Sequence, residues 1–287
     1  MYVVGRHIPT STNELDAPES GNARKRVLMR DEKRGIMAIA SAALGAAEPF
    51  LIQQDWGAYT PEQHATWAEL VGRRMPQIEA HACEEYLQGF EQIGLRTDLI
   101  PNLADVNQRL RPRSGWRATP VSGFLPPDAF FAMLAARQFP TTTWLRSRES
   151  LAYIPEPDIF HDVFGHVPMH AHPVFADFLQ RYGAVCAALT DKEALEKMGR
   201  LFWFTVEFGV IRQKGEYRLY GSGLISSQGE STYVIEGGPE IRDFDVDQVL
   251  NQEFSTSEMQ PVLYAVDSFD QIYEATREAE KRLCQRR

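Results

Sequence analysis

Residues 155–168 read PEPDIFHDVFGHVP, a stretch in which two histidines lie among residues that control the backbone. Two prolines keep the chain extended before Asp158, which can cap a short helix carrying His161. His161 and His166 are five positions apart, which in an ideal α-helix separates their side chains by roughly 140°. They converge only if the helix ends or distorts between them, and Gly165 permits either change. The stretch therefore predicts two imidazole rings turned toward one point.

A pair of histidines at this spacing is common without any metal, so a metal site needs a third ligand. Glu207 is the candidate, because it lies in the apolar stretch LFWFTVEFGVI, residues 201–211. On a helix its neighbours three and four positions away are apolar, and a carboxylate there is costly unless it is paired, protonated or bound to a metal. A buried salt bridge to an arginine stays open as the alternative. Because both histidines are present, we favour a metal site formed by His161, His166 and Glu207.

The identity of the metal follows from the ligand types. Two neutral imidazoles and one carboxylate suit Fe(II), since they occupy one face of an octahedron and leave the other positions for oxygen and substrate. Zinc accepts the same ligands, so a zinc hydrolase is the rival chemistry. The sequence has no HExxH motif to supply the glutamate base of that chemistry. A domain that binds metal only for structure is a third reading, but it would need a fourth ligand, and no convincing one is present.

Helix patterns dominate the rest of the chain. Thr60–Gln63 is a capping box with a proline at the first helical position. Thr190–Glu193 is a second capping box, and it predicts a helix that runs to about Arg212. Apolar residues recur at helical spacing over residues 174–182, and a capped helix is predicted near the C-terminus.

Strand patterns are short and lie at residues 216–220, 231–235 and 262–266. The fold class predicted from these patterns is α+β, a predominantly α-helical single domain with a few short β-strands. Residues 1–30 are polar and contain scattered Pro, Ser, Asn and Gly, so they predict a flexible N-terminal arm. Nothing beyond them resembles a linker, which makes residues 31–287 a single catalytic domain.

Composition excludes several functional classes. The 287 residues carry a net charge of −9, which argues against a nucleic-acid-binding protein because phosphate binding needs clustered Lys and Arg. The apolar run 35–47 is too short to span a bilayer and predicts a buried or surface helix, so no membrane partner is expected. The three cysteines are odd in number and widely spaced, which suits a reducing cytoplasm better than a disulfide framework.

Three motifs together resemble the signature of the pterin-dependent aromatic amino acid hydroxylases. They are EPDIFHDVFGHVP (156–168), WFTVEFG (203–209) and YGSGLISSQGE (220–230), and the resemblance runs from about Tyr59 to the C-terminal helix. The resemblance implies the catalytic-domain fold of that family. It also implies a monooxygenase that uses Fe(II), tetrahydrobiopterin and O2, with the bacterial members acting on phenylalanine as the most similar.

By this resemblance the iron ligands are His161, His166 and Glu207. Glu156 matches a catalytic carboxylate beside the pterin and the iron. Arg146 matches the arginine that binds the carboxylate of the substrate, a task that suits its planar fork. Without the resemblance, a surface ion pair would be the ordinary reading of Arg146.

The resemblance also implies a substrate pocket and a pterin pocket. In the substrate pocket, the apolar walls around the ring are matched by Pro157, Trp203 and Phe208, and the polar end is matched by Gly223 and Ser226. For the two aromatic residues, simple core packing is the alternative. In the pterin pocket, Phe130 matches the aromatic residue that stacks on the pterin ring. Gly123 and Leu125 match residues that supply backbone contacts to it.

The choice of substrate is the finer part of the expectation. Trp203 and Phe208 resemble phenylalanine hydroxylases more than tryptophan hydroxylases, and Ala265 occupies a position that is acidic in tyrosine hydroxylases. L-Phenylalanine is therefore the expected substrate and L-tyrosine the product, with tyrosine or tryptophan as alternative substrates. Phe202 stands where relatives carry a tyrosine near the pterin. The chain has neither the regulatory domain nor the tetramerisation helix of the animal enzymes, so a monomer is expected.

Overall fold

The computed structural model describes residues 35–36, 44–152 and 154–284. The predicted N-terminal arm, residues 1–30, lies outside these ranges, as does most of the apolar run 35–47. Within that run, residues 35–36 are helical and Leu44–Ala46 form a 3-10 turn. The elements below all belong to one compact unit that begins at Ile36.

Helices make up most of the described chain. The α-helices are α1 (Pro61–His81), α2 (Glu84–Gln92), α3 (Leu103–Ser114), α4 (Pro127–Ala135), α5 (Pro173–Ala188), α6 (Lys192–Phe202), α7 (Ser222–Ser226), α8 (Gln228–Ile235), α9 (Val246–Asn251) and α10 (Phe269–Cys284). Two segments are wound as π-helices, π1 (Phe160–His166) and π2 (Trp203–Glu207). Short 3-10 turns lie at Leu44–Ala46, Glu48–Phe50, Trp56–Ala58, Arg148–Ser150 and Val167–Ala171.

The strands form two small sheets. In one, β1 (Arg117–Pro120) pairs in parallel with β2 (Gln138–Thr141). The other has the order β4-β3-β6-β5 and consists of β3 (Val210–Gln213), β4 (Glu216–Leu219), β5 (Glu240–Asp243) and β6 (Val262–Val266). The hairpin β3–β4 is antiparallel, whereas β6 is parallel to both of its neighbours. The prediction of a mainly helical α+β fold is confirmed, including strands at 216–220 and 262–266.

The start of α1 follows the predicted capping box. The Thr60 hydroxyl accepts from the Gln63 amide at 3.2 Å, and the Gln63 side chain accepts from the Thr60 amide at 2.9 Å. Pro61 occupies the first helical position, where its missing N–H costs nothing. A helix of 21 residues therefore begins where the sequence indicates.

The helix predicted from Thr190 to Arg212 is wrong at both ends. Asp191 rather than Thr190 caps α6, because its carboxylate accepts from the Ala194 amide at 3.2 Å. The helical run ends at Glu207, and the chain then enters β3. At Gly209 a Cβ atom would lie 2.2 Å from the Thr205 carbonyl oxygen, so the turn between helix and strand requires a glycine.

The strand predicted at 231–235 is also wrong. These residues lie in α8, whose first turn is capped by the Ser227 hydroxyl accepting from the Glu230 amide at 3.3 Å. Ser231 and Val234 are buried three positions apart, which is the spacing of one helical face. The capping and the burial of that face outweigh the strand propensity of the Thr, Tyr and Val residues in the segment.

The largest hydrophobic cluster surrounds π1 and joins it to helices and sheet. Phe160 and Phe164, both on π1, are fully buried and stack with ring centroids 4.7 Å apart. The Tyr86 hydroxyl of α2 donates to the Phe164 carbonyl at 2.7 Å. The predicted apolar stripe at 174–182 is confirmed as the buried face of α5. No helix in the described ranges combines the length and the apolar character needed to cross a bilayer.

Candidate metal centre

Three side chains from distant parts of the sequence meet at one point. The Nε2 atoms of His161 and His166 are 3.2 Å apart. Glu207 places Oε1 3.2 Å from Nε2 of His166 and Oε2 3.7 Å from Nε2 of His161. One ligand atom from each residue lies within 4.8 Å of the other two, and no other group of three His, Cys, Asp or Glu with this geometry occurs in the described residues.

The winding of π1 explains why two histidines five positions apart converge. In a π-helix the hydrogen bonds join residues five apart, so His161 and His166 lie about one turn apart on the same face. The predicted distortion is therefore confirmed, but it spans the whole turn instead of beginning at Gly165. Gly165 has a different task, since a Cβ atom there would lie 3.1 Å from the Ser222 carbonyl of α7.

The same winding positions the carboxylate. In π2 the Phe208 amide donates to the Trp203 carbonyl at 2.8 Å, a hydrogen bond between residues five apart. Glu207 is the last residue of this segment, and its side chain is largely buried. π-helical turns of this kind occur frequently at functional sites because they redirect single side chains.

The charge states suit metal binding. Burial lowers the pKa of His161, which favours the neutral ring whose lone pair a metal needs. Burial acts to raise the pKa of Glu207, but two imidazoles and a serine hydroxyl outweigh it and hold that pKa at about 2. In the described part of the chain, neither a lysine nor an arginine forms an ion pair with Glu207. The alternative of a buried salt bridge to arginine is therefore not what the structure contains.

Helix α7 supplies a hydroxyl to two of the three ligand side chains. Ser226 Oγ lies 2.8 Å from His161 Nδ1, and Ser222 Oγ donates to Glu207 Oε2 at 2.7 Å. When His161 donates through Nδ1, its Nε2 is left with the lone pair that a metal needs. Gly221 allows this approach, because a Cβ atom there would lie 2.4 Å from the Glu207 carbonyl oxygen.

Arg146 is buried and forms an ion pair, but not at the surface. Its Nε and Nη2 atoms donate to Asp158 Oδ2 and Oδ1 at 2.8 and 2.9 Å. Asp158 Oδ1 also accepts from the His161 amide at 3.1 Å, so one carboxylate joins the arginine to the start of π1. The edge of the guanidinium formed by Nε and Nη2 is thus occupied, whereas Nη1 has only a long hydrogen bond of 3.5 Å to the Leu151 carbonyl.

Aromatic side chains cluster around the segment that carries Glu207. Trp203 and Phe208 have ring centroids 4.7 Å apart, and Phe254 stacks on the other side of Trp203 at 4.3 Å. The indole N–H of Trp203 donates to Gln260 Oε1 at 3.0 Å. Gly223 adjoins this group, since a Cβ atom there would lie 3.0 Å from the Phe208 ring. Core packing alone does not describe Trp203, which is only partly buried.

The residues predicted to bind the pterin lie around α4. Phe130 is partly buried, and its ring meets Phe202 edge to face with centroids 5.8 Å apart. Phe202 directly precedes π2, so the aromatic contact joins α4 to the segment that carries Glu207. The Leu125 side chain is buried in a small cluster with Ala129, which leaves its backbone for ligand contacts.

The structure does not bring every predicted residue to the centre. Glu156 and Pro157 are exposed in the coil that precedes Asp158. In the ranges that the structure describes, Glu156 forms no hydrogen bond or ion pair with the three ligand residues. Gly123 is partly exposed in the loop before α4.

Three contributors were missed in the sequence. Ser222 sits in the motif YGSGLISSQGE, whose repeated serines were the available signal. Asp158 was read only as a helix cap, although a buried aspartate near an arginine predicts an ion pair. Gln260 left no signal, because it lies 57 positions from the Trp203 side chain that it contacts.

The donor set fits an iron ion. Two imidazole nitrogens and one carboxylate surround one point, and the described residues add no fourth ligand there. Non-haem Fe(II) sites use this donor set of two histidines and one carboxylate, and they leave positions open for reactants. A closed structural zinc site would require four protein ligands.

Comparison with known proteins shows which family this chain belongs to. The family model of the biopterin-dependent aromatic amino acid hydroxylases matches residues 38–286. Phenylalanine-4-hydroxylase of Chromobacterium violaceum is 39% identical over 231 residues, which is 80% of this chain and 78% of that protein. Tyrosine 3-monooxygenase of Rattus norvegicus is 39% identical over 229 residues, or 78% of this chain and 46% of that protein.

Solved structures of related proteins match the fold of this chain. Chromobacterium violaceum phenylalanine hydroxylase with bound iron(III) and oxidised cofactor 7,8-dihydrobiopterin matches with a TM-score of 0.78 at 36% identity. The match covers 86% of this chain and 93% of that chain. Because the family model spans most of the sequence and the relatives cover most of the fold, the chain belongs to the biopterin-dependent aromatic amino acid hydroxylases.

Proposed function

We propose that this protein is an iron- and tetrahydrobiopterin-dependent monooxygenase that converts L-phenylalanine to L-tyrosine with O2. The observation that carries the proposal is the convergence of two imidazoles and one carboxylate on one point, without a fourth ligand among the described residues. Its family membership supports the pterin, and the bacterial relatives named phenylalanine-4-hydroxylase support the substrate.

In this proposal His161, His166 and Glu207 hold Fe(II). When bound, the iron and the reduced pterin together activate O2 so that one oxygen atom reaches the aromatic ring. The protein's own part is to keep His161 in the tautomer with a free Nε2, which the Ser226 hydroxyl favours. It also keeps Glu207 ionised, which the Ser222 hydroxyl favours.

Arg146 binds the substrate carboxylate in this proposal. Asp158 occupies the Nε side of the guanidinium, so the substrate is expected to bind the edge that includes Nη1. Because Asp158 also contacts the first turn of π1, the carboxylate of the substrate and the metal ligands share one rigid support. Such a support fixes the distance between the amino acid backbone and the iron.

The substrate ring packs against Trp203 and Phe208 in this proposal, with Gly223 leaving room beside Phe208. Pro157 is exposed in the structure, so its place in this wall requires the loop that carries it to approach the bound substrate. Apolar walls hold the ring by burial and exclude water from the reacting carbon atom. The polar end of the pocket is Ser226 in this proposal, and its hydroxyl also contacts His161.

The pterin lies between α4 and the iron in this proposal. Phe130 stacks on its ring, and the backbone of Gly123 and Leu125 forms hydrogen bonds to its edge. Glu156 is exposed in the structure, so its proposed role beside the pterin requires the loop that carries it to approach the bound cofactor. The reaction class does not depend on Glu156.

A product assay tests the proposal. Purified protein receives Fe(II), tetrahydrobiopterin, O2 and, in parallel, phenylalanine, tyrosine or tryptophan, and products are separated by chromatography. The expected result is tyrosine from phenylalanine, with slower turnover of the other two substrates. A matched sample loaded with Zn(II) should be inactive. If protein with confirmed iron forms no tyrosine, the proposal is contradicted. It is also contradicted if the Zn(II)-loaded protein, and not the iron form, is active, in a separate assay with ester or amide substrates.

We also propose an oligomeric state, a cellular location and a domain organisation for the protein. The protein is a monomer, which sedimentation analysis tests. It acts in the cytoplasm, which the free thiols of Cys83 and Cys186 support and which fractionation of cells tests. Residues 1–30 are an arm outside a single catalytic domain of residues 31–287, which limited proteolysis tests by cleavage confined to the arm.

A further inference from the structure

The two hydroxyls that contact the metal ligands both depend on the position of α7. This helix has five residues, Ser222–Ser226, and carries Ser222 beside Glu207 and Ser226 beside His161. So short a helix has few internal hydrogen bonds, and its last carbonyl groups need partners outside it. Its position must therefore be fixed by other parts of the chain.

Arg74 of α1 supplies those partners. Its Nε donates to the Ile225 carbonyl at 2.9 Å, and its Nη2 donates to the Leu224 carbonyl at 3.2 Å. Arg74 is only 3% exposed, although it is charged. In the described part of the chain it has no carboxylate partner, so its charge is compensated by carbonyl groups at the C-terminal end of α7, where a cation is favourable.

Gln77 extends the same contact by one turn of α1. Its Oε1 accepts from Arg74 and, at 2.8 Å, from the Ser231 hydroxyl. Its Nε2 donates to the Thr232 hydroxyl at 3.0 Å. Ser231 and Thr232 belong to α8, which follows α7 directly, so α1 holds both helices through these two side chains.

We propose that Arg74 is a positioning residue of the metal centre, which sets the orientation of α7 and thereby of Ser222 and Ser226 against their ligand residues. The proposal rests on the iron site of the proposed function. It assigns to Arg74 no contact with metal, substrate or pterin. Its effect passes through the two hydroxyls, and that route distinguishes it from an arginine that only stabilises the fold.

Cobalt(II) affinity provides the test, because Co(II) binding can be followed by visible absorption without oxygen chemistry. Arg74→Met is expected to weaken Co(II) binding about tenfold, in the range for residues that orient metal ligands. The matched control is Arg73→Met, since Arg73 is adjacent but exposed and pairs with Glu69. The control should bind Co(II) as the wild type does.

A double-mutant cycle separates positioning from general stability. The Ser222→Ala/Ser226→Ala protein lacks both hydroxyls, so adding Arg74→Met should weaken Co(II) binding little further. A loss from Arg74→Met that is equally large with and without the hydroxyls would overturn the proposal. Wild-type affinity in Arg74→Met would do the same.

If Arg74→Met does not fold, Arg74→Lys replaces it, because lysine keeps the charge but lacks the rigid planar fork that contacts both carbonyls and Gln77 from fixed positions. A smaller weakening of Co(II) binding is then expected, and it should vanish in the protein without the two hydroxyls. If the Arg74→Lys protein binds Co(II) with wild-type affinity, the positioning role of Arg74 is contradicted, whereas the metal centre is not. Failure of the wild type to bind Co(II) would contradict the metal centre itself, so the two proposals fail in different ways.

Discussion

The buried ion pair between Arg146 and Asp158 shows how single residues affect both the stability and the substrate binding of the site. Both side chains are almost fully buried, with Arg146 8% and Asp158 0% exposed. Removing one partner of such a pair leaves an uncompensated buried charge. Asp158 also holds the His161 amide, so its carboxylate serves the substrate side and the metal side together.

Asp158→Asn is therefore expected to lower the free energy of unfolding by about 3–5 kcal/mol and to raise KM for phenylalanine more than it lowers kcat. Urea denaturation and steady-state kinetics provide the measurements. Asp98→Asn is the matched control, because Asp98 pairs with Arg96 at the exposed surface. Equal effects of the two substitutions would show that the buried pair has no special role.

His170 is a second residue whose burial has a measurable consequence. Its ring is fully buried between Trp116 and Phe139, its Nδ1 contacts the His166 carbonyl, and burial lowers its pKa to about 3. The unfolded chain binds a proton near pH 6.5, whereas the folded protein does not until about pH 3. Stability contributed by the neutral ring is therefore lost as the pH falls below 6.5.

His170→Leu removes this proton linkage. The decrease in the free energy of unfolding between pH 7 and pH 5 should be smaller in the variant than in the wild type by about 2 kcal/mol. The constant cost of the lost hydrogen bond cancels in this comparison. Urea denaturation of both proteins at the two pH values measures it, and an unchanged pH dependence would contradict the buried neutral state.

At the scale of elements, the centre depends on how closely α7 approaches π1 and π2. The approach is possible because Gly221 has no Cβ atom, which would lie 2.4 Å from both the Glu207 carbonyl oxygen and the Gly209 amide nitrogen. Backbone atoms at that distance cannot move aside cheaply. The glycine is thus a requirement of the packing between α7 and the segment that carries the carboxylate ligand.

Gly221→Ala should destabilise the protein by about 1–3 kcal/mol through overpacking and should weaken metal binding, because α7 must move. Gly72→Ala is the matched control, since Gly72 lies exposed in α1 with nothing within 4 Å of an added Cβ atom. The control should gain about 0.5–1 kcal/mol from the better helix propensity of alanine. Urea denaturation and Co(II) titration check both variants.

Some features of these elements could be predicted from the sequence, and others could not. The convergence of His161 and His166 was predictable, because five positions on a regular helix point apart and the stretch contains residues that permit distortion. The end of the helix after Glu207 was not predicted, because the residues that follow it are apolar and fit a helix or a buried strand equally well. Pairing with β4 and β6 decides between these. β4 follows β3 directly in a hairpin, whereas β6 lies far along the chain, where no local pattern links it to β3.

The residues of the candidate site also divide into those that the sequence predicts and those that it does not. The three ligands and the aromatic residues lie in motifs that are recognisable as continuous stretches. Arg74 and Gln260 were not predictable as parts of the site, because each acts across more than fifty positions on a backbone or side chain that no local pattern identifies. The Arg146–Asp158 ion pair is intermediate in sequence separation, since its two residues are twelve positions apart.

At the scale of the whole molecule, metal binding should stabilise the fold. The ligands come from π1 and π2, so an ion that binds only the folded state ties these two segments together and stabilises that state. At a metal concentration 100 times Kd the expected gain is about 2.7 kcal/mol. The Tm of the wild type should rise with Co(II), while that of His166→Ala should not. An equal rise in both would place the metal elsewhere.

If His161, His166 and Glu207 serve the hydroxylation of an aromatic amino acid, the oxygen added to the ring comes from O2, and isotope transfer measures this. Wild-type protein with Fe(II), tetrahydrobiopterin and phenylalanine is supplied with oxygen-18 gas, and the tyrosine formed is analysed by mass spectrometry. We expect the wild type to form tyrosine that carries one labelled oxygen atom, and Glu207→Ala to form none. Unlabelled tyrosine, or labelled tyrosine at the wild-type rate from Glu207→Ala, would contradict it.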